Sequence, residues 1–431
     1  MFKKIAKKII TFILIWETRL VLKIRRPKII AITGSVGKTS TKDAIFFALK
    51  DFLPVRRSEK SYNSELGVPL TVLGQKSGWS SIFLWLKVLL GGLKAIYQKG
   101  YPEWLILEVG ADHPGDIKRI VKWLKPDLAM VTRLPEIPAH IEFFKNKEEV
   151  VAEKMSLVEG MKETGWAIFN LDDPILKTKK NNLNFKNIIT YGLSKEADVN
   201  ASDVVVKYQA EMPLGLSFNI NTDGVKVPVL LKGVLGQHQI YSFLGAVAVV
   251  KVLKLDIQQV VTKLIKNYKL PVGRFNLLAG INSSLILDDT YNSSPEASSK
   301  AIETIESLQL QGRKIAVLGD MLELGSYSTE AHFKIGQKAA QTFDILITTG
   351  SEAKEISKGA ISSGLPEDSC LHFEDKSLIW TWLRNNIKPG DLIFVKGSQG
   401  VRLEKVVAEI MLQPELKREL LCRQDDGWEN L

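Results

Sequence analysis

With 431 residues, 45% of them hydrophobic and 25% charged, the chain exceeds one ordinary core and is expected to form two or three domains. No low-complexity tract or internal repeat interrupts it, which excludes fibrous, solenoid and largely disordered classes; its two cysteines, Cys370 and Cys422, fit neither a disulfide framework nor a zinc site, as expected in a reducing cytoplasm. The net charge of +10 would suit nucleic acid if it covered a face, but it gathers at one end, so no nucleic-acid partner is expected.

Within the first 28 residues, nine lysines and arginines face a single acid, Glu17. Residues 9–16 are apolar apart from Thr11, far short of the ~20 residues that a membrane span requires, and no small-residue cleavage site follows them. Residues 1–28 therefore read as a basic, apolar helix with two open placements. It lies on an anionic membrane surface, at the inner face of the cytoplasmic membrane, or it packs on the adjoining domain with its lysines solvated.

Residues 29–32 read as a strand and residues 41–50 as a helix, with Thr33-Gly34-Ser35-Val36-Gly37-Lys38-Thr39-Ser40 between them. A strand, a glycine turn and Lys-Thr opening a helix make a phosphate grip. The backbone N–H groups from Gly34 to Ser40 face the phosphates, Lys38 adds a point charge, and the Thr39 hydroxyl can hold Mg²⁺. Only two residues separate Gly34 from Gly37, a shorter spacing than in the common P-loop, and in this the loop resembles that of one group of ATP-dependent ligases.

A polar loop follows, with Asn63 and Gly67-Val68-Pro69, and then a long amphipathic stretch, residues 79–97. Lys87 and Lys94 interrupt that stretch, which is expected to be a helix covering a sheet. Strands expected at 104–109, 128–132, 166–170 and 188–191 alternate with helices, the pattern of a mostly parallel α/β sheet. A β-rich insertion is expected over 203–231, with Asn221-Thr222-Asp223-Gly224 as a hairpin turn, and helices at 240–253 and 257–266. Pro271-Val272-Gly273 marks the expected boundary between a central ATP-binding domain, 29–270, and a C-terminal domain, 271–431. There strands at 285–288, 314–318, 345–348 and 392–396 restart the alternation, as in a second, Rossmann-like unit whose ligands gather at the strands' carboxyl ends.

Further motifs bear on chemistry. Glu108-Val109-Gly110-Ala111-Asp112-His113-Pro114-Gly115 ends a strand and puts a carboxylate at the crevice. His140 and Glu142 follow the next strand, and Lys154 lies on the helix after Glu148-Glu149. Asp288-Asp289-Thr290-Tyr291-Asn292 and Lys396-Gly397-Ser398 end strands of the second unit. Each has a purely structural reading as well. Glu108 caps a helix, His113 serves a turn, His140 is a surface histidine, Lys154 is a solvated helix lysine, and Asn170, Asp172 and Asp173 make a turn.

In this order, and with Leu318-Gly319-Asp320-Met321-Leu322-Glu323-Leu324-Gly325 and His332 downstream, the set resembles the Mur ligase family over residues 29–404. It is most similar to the branch that adds D-alanyl-D-alanine to a peptidoglycan precursor peptide. The resemblance implies an ATP-dependent amide ligase, releasing ADP and phosphate through an acyl phosphate. It implies Mg²⁺ on Thr39, Glu108 and His140, a carbamylated Lys154, and closure of Arg274 and Asp289 over the nucleotide. Asn63, Asn292, Asp320 and Glu323 become candidate substrate contacts, although Asp320, Glu323 and His332 would equally fix a loop. The implied partners are a dipeptide amine and a small-molecule or lipid-linked precursor, met by a cytoplasmic monomer.

Several positions depart from the family pattern. The P-loop begins at residue 33, leaving room for one helix where that branch carries a domain for its uridine nucleotide substrate. Gly236-Gln237-His238-Gln239 and Ser242 stand where the family has asparagines on adenine, Ser294 where it has asparagine, and Gln399 where it has arginine, with Arg402 nearby. Amide formation on another acceptor, as in folyl-polyglutamate or cyanophycin-type enzymes, and a non-catalytic nucleotide-binding scaffold at the membrane stay open as alternatives.

Overall fold

The computed structural model describes residues 2–59, 62–78, 81–134, 141–182, 185–209, 212–268 and 271–424. Its first sheet comprises β1 (Lys28–Thr33), β2 (Val55–Arg57), β3 (Trp104–Glu108), β4 (Leu128–Val131), β5 (Trp166–Asn170), β6 (Ile188–Gly192), β7 (Val199–Gln209), β8 (Met212–Thr222) and β9 (Val225–Lys232). They run in the order β2-β3-β1-β4-β5-β6-β7-β8-β9, parallel from β2 to β7 and antiparallel from there to β9. In β1 only Lys28 is exposed; Ile29-Ile30-Ala31-Ile32 is the unbroken apolar run of a parallel strand covered on both faces.

Helices supply that cover. They are α1 (Phe2–Arg25), α2 (Lys38–Leu49), α3 (Gly67–Leu73), α4 (Ile82–Lys94), α5 (Asp116–Leu124), α6 (Lys147–Glu159), α7 (Pro174–Asn182), α8 (His238–Val252) and α9 (Ile257–Asn267). Residues of α2, α8 and α9 fill one face with Ile30, Met130 and Phe218, and residues of α1, α3, α5, α6 and α7 fill the other with Ala31, Leu107 and Phe169. Along α8, residues 242–250 read Ser-Phe-Leu-Gly-Ala-Val-Ala-Val-Val, apolar almost all round, and all are buried.

One expectation changes here. Residues 203–231 are no insertion: β7 pairs with β6 through Tyr191↔Val199, and β7 to β9 extend the same sheet. The turn itself is as expected. Thr222 pairs with Val225, and Asp223 and Gly224 take left-handed φ of 48° and 75°, the two-residue turn that Asp-Gly favours. The stretch read as a helix covering a sheet becomes α4, which packs on α1 and α3 in the helical layer over their face of the sheet and buries Val88 in its core. The first helix buries Leu14 and Val21 in that same layer, and among the described residues no helix is long and apolar enough to cross a membrane.

The second sheet contains β10 (Asn276–Ala279), β11 (Leu285–Asp289), β12 (Lys314–Gly319), β13 (Ile345–Thr349), β14 (Cys370–His372) and β15 (Leu392–Lys396), ordered β10-β11-β15-β12-β13-β14. All pairs are parallel except β10 with β11. Residues of α10 (Pro295–Glu306), α11 (Ser328–Ala340) and α12 (Lys354–Ser362) fill one face, and residues of α13 (Lys376–Asn386) and α14 (Glu404–Ile410) the other. The α/β class, with a large, mostly parallel sheet and a second α/β sheet, is as the sequence predicts.

Phe394, fully buried on β15, meets the rings of Phe275 at 5.9 Å and Phe343 at 6.0 Å. Phe394→Ala removes the middle ring of that three-ring cluster and is expected to destabilise the protein by about 3–5 kcal/mol in denaturant unfolding. An effect below about 1 kcal/mol would show that the second sheet does not depend on it.

Candidate active site

In the first sheet the chain leaves β1 toward β3 on one side and returns to β4 on the other, so β1 lies at the point where the strand order reverses. Ligands of such sheets sit outside the carboxyl ends of the strands at that point. Here those ends present the Gly34–Gly37 loop, Glu108 and Thr132. The loop is held from outside: Thr132 Oγ1 donates to the Val36 carbonyl at 2.6 Å, and Ser35 N–H to the Arg133 carbonyl at 2.8 Å. Gly34, at φ 141°, sits so close to β4 that a Cβ would collide with Thr132 Oγ1. Gly37, at φ 84°, occupies the N-cap of α2 with no side-chain cap, which leaves the helix N–H groups to a ligand.

Lys38 folds back over the loop and donates to the Gly34 carbonyl at 2.8 Å. Thr39 Oγ1 donates to Glu108 Oε2 at 2.9 Å, and Asn63 Nδ2 to Glu108 Oε1 at 3.2 Å. Glu108 is buried at the end of β3, its backbone N–H bonded to Ser58 Oγ at 3.1 Å. A hydroxyl and a carboxylate side by side are hard oxygen donors, and this pair fits Mg²⁺, which takes few protein ligands beside phosphate and water.

Lys154 lies buried on α6. Its neighbour Glu153 accepts from the N–H groups of Gly115 at 2.7 Å and Ile117 at 2.6 Å, which ties α6 to the start of α5. Burial, and then the nearby Lys38 amine, push the Lys154 pKa down to about 7, against the opposing pull of Glu153 and Asp112. Burial lowers Lys38 too.

The second sheet presents its own carboxyl ends to the same space. Lys396 Nζ, at the end of β15, donates to Asp289 Oδ2 at 2.6 Å and to the Asn292 carbonyl at 3.0 Å. The Arg274 guanidinium lies 4.1 Å over the Tyr291 ring. Across the gap, Arg133 Nη2 and Glu296 Oε1 approach to 2.7 Å, an ion pair whose alignment is not that of a hydrogen bond.

One cleft of about 730 Å³ joins these groups. Ser35, Val36, Gly37, Lys38, Thr39 and Ser40 line it, as do Asn63, Glu108, Lys154, Arg274, Asp289 and Asn292. Gly34 supports the loop from behind. His140 lies outside the described residues. Asp320 and Glu323 are not brought to the cleft: Asp320 Oδ1 accepts from Ala353 N–H at 2.7 Å, at the start of α12, and Glu323 is exposed. His332 Nε2 accepts from Met321 N–H at 2.8 Å, so it fixes the loop after β12. Asp173 likewise holds the Leu134 and Leu176 N–H groups. Arg402 does not take the place of an arginine at Gln399, because its guanidinium is paired with Glu404 at 2.5 Å. Sequence reading missed Arg133, Tyr191, Tyr241 and Lys300, all on the cleft wall. Arg133 directly follows an expected strand, a signal that was there to use.

Residues 91–250 match the Mur ligase middle domain, and residues 273–399 match the Mur ligase, glutamate ligase domain. The chain belongs to the Mur ligase family. Among relatives of this Mur ligase, the UDP-N-acetylmuramoyl-tripeptide–D-alanyl-D-alanine ligase of Bacillus subtilis (strain 168) is 28% identical over 388 residues, covering 90% of this chain and 76% of the relative. The crystal structure of MurF ligase from Thermotoga maritima in complex with ADP superposes with a TM-score of 0.75 at 25% identity, covering 95% of this chain and 84% of that one. MurF from Acinetobacter baumannii shares the fold, with a TM-score of 0.76 at 22% identity over 95% of this chain and 80% of its own.

Two of the positions departing from the family pattern make local contacts in this Mur ligase. Gln239 Nε2 reaches the Arg274 carbonyl at 3.4 Å, and Thr41 Oγ1 donates to Ser242 Oγ at 3.4 Å. His238 beside them is pushed down to about 4 by burial and stays neutral at physiological pH.

The Lys154 shift has a measurable sign. An unfolded lysine keeps its proton up to about 10.5, whereas folded Lys154 releases it near 7, so stability should rise with pH across that window. Reductively ¹³C-methylated protein should show one lysine resonance titrating near pH 7, absent from Lys154→Arg. Titration of every resonance in the ordinary range would mean that the amine is solvated.

Proposed function

We propose that this chain is an ATP-dependent amide ligase that adds D-alanyl-D-alanine to the peptide carboxylate of a UDP-N-acetylmuramoyl-tripeptide, releasing ADP and phosphate. The observation that carries the reading is the meeting of Lys38, Thr39, Glu108 and Lys154 in one cleft closed on its far side by Arg274 and Asp289. Likeness over 90% of the chain to a D-alanyl-D-alanine ligase supports the choice of substrates over folate or cyanophycin acceptors.

The difficulty in such a reaction is electrostatic, because a carboxylate must attack a phosphate and both are anions. The residues answer it with concentrated positive charge in a partly enclosed space. Uncapped N–H groups of α2 and the Lys38 amine receive the β- and γ-phosphates. Thr39 and Glu108 would hold Mg²⁺, which supplies further charge neutralisation when bound. Arg274, stacked on Tyr291, and Asp289, held by Lys396, stand ready to contact the nucleotide from the second sheet. The acceptor carboxylate takes the γ-phosphoryl group to give an acyl phosphate, and the dipeptide amine then displaces phosphate.

Lys154 serves this scheme in a modified form. An amine with a pKa near 7 is substantially neutral at physiological pH, and only a neutral amine attacks CO₂. The neutral nitrogen bonds to the CO₂ carbon and releases a proton, so a buried amine becomes an anionic oxygen donor that would stand beside Thr39 and Glu108. ¹³C-bicarbonate should therefore give a protein carbamate resonance that Lys154→Ala lacks. Its absence from the wild-type protein would remove Lys154 from the scheme.

The overall reading is tested by incubating the protein with ATP, Mg²⁺, tripeptide precursor and D-Ala-D-Ala. ADP and phosphate should form in step with a product heavier by one dipeptide, and Lys38→Ala should lower turnover roughly 10²–10³-fold. Release of AMP and pyrophosphate, or full activity in Lys38→Ala, would overturn it.

A further inference from the structure

Two packed helices turn large apolar side chains to solvent. On α1, Phe12 is 72% exposed and Trp16 55%, with Ile9 and Ile24 further along the same exposed side. On α4, Phe83 is 83% exposed and Leu90 65%, and Leu86 and Leu93 complete a stripe at helical spacing. Both helices also have inward faces that the fold uses fully. Leu14, Val21, Val88 and Ala95 are buried in the core, and Gly92 lets α4 approach so closely that a Cβ there would run into the Glu17 carboxylate. The outward stripes are thus additional to what packing requires, and soluble monomers rarely expose so many large apolar side chains together.

The charges say what covers them. In residues 8–28 and 82–99 the single acid is Glu17, and it is buried. Lys8, Arg19, Lys23, Lys87, Lys94 and Lys99 are all exposed. A second copy of this chain would set the same cations against them, like against like. Neither helix can cross a bilayer. A bilayer surface with anionic headgroups satisfies both requirements, because headgroups meet the lysines and the interfacial layer takes tryptophan, phenylalanine and leucine. No residue of α1 or α4 lines the cleft, so occupation of this surface leaves the cleft free.

We propose that α1 and α4 together form a docking surface for a lipid bilayer bearing anionic headgroups. The proposal stands on these two helices and is independent of the substrates assigned to the cleft.

Co-sedimentation of the full chain with phosphatidylcholine vesicles, with and without phosphatidylglycerol, tests it. Binding is expected only where phosphatidylglycerol is present, with a blue shift in tryptophan emission and release by salt. Lys87→Gln with Lys94→Gln should weaken partitioning roughly thirtyfold, and Phe83→Ser with Leu90→Ser should abolish it, both with unchanged circular dichroism. Three results would overturn the proposal. They are no sedimentation with anionic vesicles, equal binding to neutral ones, and α4 variants that bind like wild type. Lipid-free dimers that the same substitutions convert to monomers would assign the surface to a second copy instead.

Discussion

Two amines held out of water beside each other, Lys38 and Lys154, set the condition to which the rest of the cleft responds. Burial weakens the hold of each on its proton, and the Lys38 charge lowers Lys154 further, as the Arg274 charge does Lys38. Glu108 and Asp112 offset part of this, and the Gly34 carbonyl takes one hydrogen bond from Lys38. What remains is a deficit of negative charge at the end of a helix with no cap. A polyphosphate supplies that negative charge, so the cost of burying the amines and the affinity for a nucleotide have one origin.

The fold meets this condition through its topology. Three parallel strands bring the loop, Glu108 and Thr132 to one edge, and the residues directly after β4 fix the loop through the Thr132 hydroxyl and the Arg133 carbonyl. The helices α2 and α8, packed through Thr41 and Gly245, give that edge a rigid base. Asp289 and Lys396 at the ends of β11 and β15 face it from the second sheet, already paired with each other and so fixed in direction.

Much of this was legible in the sequence where the cause is local. Strands such as Trp166–Asn170 and Leu392–Lys396 are apolar runs bounded by turn residues, and the Asp223-Gly224 turn follows from the left-handed preference of its two residues. Edge strands β2, β10 and β14 escaped notice because three or four residues carry no period. Site residues in motifs, Lys38, Glu108 and Lys154, came together in the cleft, whereas Asp320 did not, because its carboxylate is bonded to the start of α12. No local pattern reveals that partner. The same limit applies to α4, since an apolar face that packs and one that remains exposed have the same spacing.

The Arg133–Glu296 pair bridges the two sheets at the rim of the cleft, with about a quarter of each side chain exposed. Pairs in that setting contribute about 0–1 kcal/mol, far less than either core. The halves also meet through apolar contacts, since Leu235, after β9, is buried in the second core and the His238 and Phe275 rings lie 5.6 Å apart. Breaking the pair alone opens the rim without touching either core, and ionic strength acts on that ionic contact more than on the apolar seam behind it.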